Sequence, residues 1–109
     1  MKHDRDLSAV FTNERFLDSL ELLMEHARSD TGGSRRCAQF LLSLWNGDFF
    51  KADIQDLLYT DAEINQAMLC VFYHLHGGLC QLYTFVSKEQ MAPIIEAWGD
   101  VFMVKKRQA

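Results

Sequence analysis

Residues 30–47 read DTGGSRRCAQFLLSLWNG. Two adjacent glycines, a serine and two arginines stand ahead of an apolar run. That order admits two readings, and they belong to different folds. A nucleotide-binding phosphate loop would make the chain α/β. It needs a strand before the glycines and a lysine inside the loop, spaced GxxxxGK and followed by Ser or Thr. Here the residues after the second glycine are Ser34, Arg35 and Arg36, and the segment before it has helical periodicity. Spacing and context both fail. The stretch then reads as a tight connection between two helices, the second running from about Thr31 to Asn46-Gly47. Cys37, Ala38, Leu41, Leu42, Leu44 and Trp45 give that helix a wide apolar face, which suits a central position. Gly47 suits the left-handed position just past a helix end.

Outward from this stretch the same punctuation recurs. Before it, Phe16, Leu20, Leu23, Met24 and Ala27 make one stripe and predict a helix from Asn13 to Ser29, with Thr12 or Asn13 as cap. After it, residues 48–59 read as a connection in which Phe49 and Phe50 reach the core and Asp53 caps a short turn. Thr60 and Glu63 have capping-box spacing, opening a helix with Ile64, Met68, Val71, Phe72 and Leu75 on one side. Gly77-Gly78 should stop it. LCQLYTFV, residues 79–86, has no strand to pair with and reads as a loop with buried side chains. Ser87 and Gln90 form a second capping box, opening a last helix with Met91, Ile94, Ile95 and Trp98 inward; Pro93 should bend or restart it. The expected fold is all-α: a single compact domain of four main helices plus a short helical turn. Residues 1–11 read as an N-terminal arm, 12–104 as the helical domain and 105–109 as a basic tail.

Composition bounds the function. The chain has 109 residues, one domain by length, with 49% apolar and 24% charged residues. Net charge is −4, which weighs against nonspecific binding to nucleic acid and suits a basic partner surface. The acids concentrate at 48–63, where Asp48, Asp53, Asp56, Asp61 and Glu63 face only Lys51. Three cysteines without a CxxC argue against a secreted disulfide framework, and the polar start MKHDRDLSAVF does not resemble a signal peptide. The expectation is a cytoplasmic protein that crosses no membrane.

The chemical constellations are weak. Thr31, Gly33, Ser34, Arg35 and Arg36 lie at a helix start, where free N–H groups and the dipole attract anions. Arginines there oppose the dipole, and either a bound anion or a nearby acid, Asp30 or one of residues 48–63, would relieve that. Cys70, His74, His76 and Cys80 have zinc-ligand chemistry, but the two histidines diverge by about 200° on a helix and the spacing fits no common zinc module. Asp53 and Asp56 could share a helix face without entering a pocket. No metal, cofactor or catalytic set is expected.

The segment TGGSRRCAQFLL with its following Trp45 and Asn46, then Phe50, DIQDLL, the pattern Asp61, Ile64, Met68, Leu69, Val71, Phe72, and IIEAW, resembles a family of small uncharacterised bacterial proteins. Members are often carried on plasmids and integrative elements, and the resemblance spans roughly 28–102. It implies an accessory bacterial protein and transfers no site residues. The functional expectation is a non-catalytic protein-interaction module of a mobile element, acting by binding another protein. An inhibitor covering a basic surface of a host defence complex would be one such role. Surplus aromatics point to self-association as a homodimer, with Phe11, Trp98 and Phe102 as contacts. The alternative is weak nucleic-acid binding through Arg35, Arg36 and the tail Lys105, Lys106, Arg107. A third reading is an enzyme or small-ligand receptor using the helix start at 31–36 as an anion site.

Overall fold

The computed structural model describes residues 13–103. The expected arm, with Phe11 and the Thr12 cap, and the basic tail lie outside the described residues. Within them the protein is all-α: α1 Asn13–Arg28, α2 Ser34–Trp45, the single turn α3 Ile54–Leu57, α4 Ala62–Gly78 and α5 Lys88–Phe102. A 3-10 turn, Leu82–Thr84, lies between α4 and α5. No strand occurs among the described residues, only an isolated antiparallel bridge between Phe50 and Met103.

The predicted stripe of α1 is the centre of the packing. Phe16, Leu20, Leu23, Met24 and Ala27 are all buried, and α1 lies against both α2 and α4. Phe16 meets His74 and Phe85, with ring centroids 4.9 Å apart in each case, so the start of α1 lies beside the end of α4. α2 also meets α5, α3 and the 3-10 turn, in keeping with its wide apolar face. α5 is fastened to the last turn of α1 by Trp98, whose Nε1–H donates to the Ala27 carbonyl at 3.1 Å.

Several local expectations are corrected. α2 starts three residues late, because Thr31–Gly33 form a turn closed by the Ser34 N–H on the Thr31 carbonyl at 3.1 Å. Gly47 is not left-handed. Asn46 ends α2 in an extended conformation, and its carbonyl takes the N–H groups of Phe49 and Phe50. The Thr60–Glu63 capping box does not form. Thr60 donates its hydroxyl to the Leu57 carbonyl at 3.0 Å, and Asp61 becomes the cap residue without a side-chain bond. Gly77-Gly78 do not stop α4 but close its last turn, and Leu79 makes the left-handed exit at φ 54°. Of the apolar doublets, Phe50 and Val71 are buried while Phe49 and Phe72 are exposed. α5 runs unbroken through Pro93, without a fresh start. At its end Val101 is exposed, whereas Phe102 is buried.

Other expectations hold. Asp53 caps α3 through the Asp56 N–H at 3.2 Å. The Ser87 box is complete, with Ser87 Oγ accepting the Gln90 N–H at 3.1 Å and Gln90 Oε1 accepting the Ser87 N–H at 2.8 Å. The 79–86 segment is not extended, and Leu82 and Val86 are its buried anchors.

One close approach lies at the entry to α2. A Cβ on Gly33 would lie 2.6 Å from Ile64 Cδ1, whereas one on Gly32 would meet nothing within 4 Å. The contacted atom is the far end of the Ile64 side chain, which is itself buried, so the tip must shift within the core to make room. Gly33→Ala is therefore expected to destabilise the fold by about 1–3 kcal/mol, in the range of overpacked cores. Gly32→Ala, next to it, should be neutral or slightly stabilising. Paired thermal melts check this.

Candidate functional site

The helix start singled out in the sequence turns its polar groups on itself. The Thr31 N–H donates to Ser34 Oγ at 2.8 Å, and the two hydroxyls lie 3.0 Å apart. Thr31 Oγ1 also lies 3.2 Å from His26 Nδ1. Ser34 is buried. Gly33 is placed against Ile64 rather than against open space.

Arg35 and Arg36 leave this turn sideways and converge on one acid. Arg36 Nη2 donates to Asp56 Oδ1 at 3.1 Å, and Arg35 Nη1 reaches Asp56 Oδ2 at 3.4 Å. The Arg36 guanidinium lies over the Tyr59 ring, 5.9 Å from its centroid, and that of Arg35 over Phe102 at 5.2 Å. Phe102 stacks in turn on Trp98. The arginines thus clasp α3 and α5 to the start of α2. An acid from 48–63 supplies the relief that the unfavourable dipole position calls for. Two of the expected interface residues belong to this packing: Phe102 is buried, and Trp98 is half-buried with its N–H bonded to α1.

The feature that sequence reasoning missed lies on the other side of α3. A groove of about 460 Å³ runs between α2 and α4, walled by the segment 47–58. Phe40, Leu57 and Met68 are buried at its base. Ile54, Leu58, Leu69 and Phe72 line it and remain exposed. Its polar lining is sparse. Asn65 Nδ2 donates to the Leu57 carbonyl at 3.3 Å, Ser43 donates its hydroxyl to the Phe40 carbonyl at 2.7 Å, and Lys51 is the one titratable side chain. Ligand and catalytic clefts combine apolar walls with a few converging polar groups. This groove has the walls, and its amide and hydroxyl are already bonded.

The signal was present as apolar doublets. Residues next to each other on a helix point about 100° apart, so where the covered face is narrow a doublet can have one member in the core and the other outside it. In Leu57-Leu58, Met68-Leu69 and Val71-Phe72 the first residue is buried and the second exposed.

The remaining chemistry is dispersed. Among the described residues no group of three or more His, Cys, Asp and Glu could hold a metal. Cys70 is buried, and His76 lies beside the Phe72 ring at 4.2 Å. Asp56 is committed to the arginines, while Asp53 caps α3. Among the same residues no helix is long and apolar enough to cross a membrane. All three cysteines are free thiols, and burial pushes the Cys37 thiol up from 9.0 to about 12.

Asp56→Ala leaves two guanidinium groups facing each other at the positive end of α2. It should cost about 1–2 kcal/mol, with the loss reduced in high salt; denaturant melts at two ionic strengths measure it. Cys37 is protonated when folded and ionises in the unfolded chain above its ordinary value. Its contribution to stability is therefore complete below pH 9.0 and lost as pH rises toward about 12. At pH 8 a thiol reagent should label half-buried Cys80 first and reach Cys37 only on unfolding.

No curated protein and no solved structure matches the chain. A family model matches residues 17–99, from the early turns of α1 through the clasp and groove and most of α5. The chain therefore belongs to the family of unknown function DUF7673.

Proposed function

We propose that this protein is a non-catalytic interaction module that works by binding protein through the apolar face around the α2–α4 groove. The observation that carries the reading is the groove itself: about 460 Å³, with Ile54, Leu58, Leu69 and Phe72 exposed along it. Scattered exposed leucines are ordinary, but a contiguous apolar concavity marks a contact surface. Its sparse and largely committed polar lining favours docking of side chains over the turnover of a small substrate.

The resemblance through the TGGSRRCAQFLL segment supports placing the module in a bacterial mobile element, as an accessory protein of the cytoplasm. Nucleic-acid binding through Arg35 and Arg36 is the weaker reading. Both side chains share Asp56, which leaves the trio a net charge of one, on a chain of −4. Phosphate-tracking surfaces need several uncommitted cations.

The test is capture by the tagged full-length chain from its native host, followed by binding of the captured protein to the purified chain. Leu58→Asp and Leu69→Asp, both at exposed positions, should weaken that binding at least about tenfold, a loss of about 1.4 kcal/mol. Leu17→Asp, at an exposed position on α1, should leave it unchanged. Binding that ignores both groove substitutions would contradict the reading.

A further inference from the structure

α4 is apolar on two sides. Its inner side, with Ile64, Met68, Val71 and Leu75, is buried. On its outer side Leu69, Phe72, Tyr73 and His76 recur at i, i+3, i+4 and i+7, within an arc of about 100°. Leu69 is 56% exposed, Phe72 45% and Tyr73 52%. Leu79, immediately past the helix end, is 91% exposed, and Ile54 and Leu58 across the groove are 77% and 64% exposed. An apolar stretch of helix left in solvent over two turns marks a contact surface.

We infer that a second copy of this chain covers that face: two α4 helices pack antiparallel about a two-fold axis, each copy's ridge of Leu69, Phe72 and Tyr73 entering the other's groove. This rests on the interaction-module reading and names the partner of the same site. Three observations select a second copy.

The first is charge. From Ile64 to Ser87 the sequence contains no Asp, Glu, Lys or Arg, in a chain that is 24% charged overall. A partner chosen by charge would find nothing to read on α4 beyond its first turn. Two like-charged copies meet there with the uncharged ridge of α4 set against the wall 47–58, whose Lys51 lines the groove and whose Asp48 and Asp53 lie on the same segment. An antiparallel seam also puts Asp61 and Glu63 of the two copies at opposite ends, roughly 25 Å apart over a helix of this length, well beyond the screening distance of about 8 Å at physiological salt.

The second is area. At about 200 Å² for a fully exposed large side chain, Ile54, Leu58, Leu69, Phe72, Tyr73 and Leu79 present roughly 700 Å². A stable interface takes about 800 Å² from each partner, so these side chains and their surroundings suffice.

The third is shape. A convex ridge and a concave groove adjoin on one face, which is what an isologous two-fold contact requires, since each copy must supply both halves. Leu79 adds to this: it holds a left-handed conformation at φ 54° that glycine adopts without strain, keeping a large apolar side chain in solvent at the end of the ridge.

The experiment is light scattering after size exclusion on the full chain, from micromolar to near-millimolar concentration. The expected mass is twice the chain's 12.6 kDa. Leu69→Glu and Phe72→Glu each place a carboxylate from both copies in the seam and should raise the dimer dissociation constant at least about 100-fold. Helical circular dichroism of the diluted variants should match that of the diluted wild type. Leu17→Glu, on α1, should leave the dimer intact. A wild-type chain monomeric throughout, or a dimer indifferent to both α4 substitutions, overturns the inference. If that monomer still binds a different protein in a Leu69-dependent way, the interaction-module reading stands and the second copy alone is refuted.

Discussion

The structure turns on the contact between Gly33 and Ile64. The turn Thr31–Gly33 must reverse the chain from α1 into α2 within a few residues, and it does so with its glycine pressed against the first buried residue of α4. This brings the starts of α2 and α4 together on the same side of α1. Both helices then spend their apolar faces on α1 rather than on each other. Between their later halves, from Phe40 and Ser43 on α2 to Met68 and Phe72 on α4, the space is left as a groove. The glycine that suggests a phosphate cradle in the sequence serves here as a packing contact, because a Cβ there would force the Ile64 tip to shift.

The second constraint is electrostatic and supports the first. Arginines at a helix start are misplaced with respect to the dipole, and these two pair through their Nη atoms with a single carboxylate on a one-turn helix, while Arg36 Nε is buried without a partner. Pairs this exposed are individually weak. Their value lies in position: Asp56 on α3, Tyr59 just beyond it and Phe102 on α5 are gathered at one end of α2. The segment that carries Asp56 is also the one that supplies Ile54, Leu57 and Leu58 to the groove. Charge on one side of α3 thus holds the apolar wall on its other side.

Much of the fold was legible in the sequence because hydrophobic period and turn chemistry agreed. The α1 stripe, the Asp53 cap and the Ser87–Gln90 box appear as read. The misreadings occur where two local devices compete. Thr60 had the spacing of a cap, but its hydroxyl found the Leu57 carbonyl first. Gly77-Gly78 looked like a stop, but the left-handed residue came afterwards, at Leu79. The groove was hidden for a different reason. A periodicity argument assigns one apolar face to each helix, and α4 has two. The doublets Met68-Leu69 and Val71-Phe72 carried that information, yet a doublet need not send a residue away from the core: Leu23-Met24 and Leu41-Leu42 are buried whole. Which pairs lie together on the surface depends on how α2 and α4 sit on α1, and that is a tertiary fact.

The central claim is that the exposed apolar face of α4 is covered when the protein does its work. Hydroxyl-radical footprinting tests it most directly, comparing the chain inside its native cells with the same chain purified and dilute. The account predicts that Leu69, Phe72 and Ile54 are modified several-fold less in cells, while Leu17 on the outer side of α1 is modified equally in both. Equal modification of Leu69 and Phe72 in the two settings would contradict it.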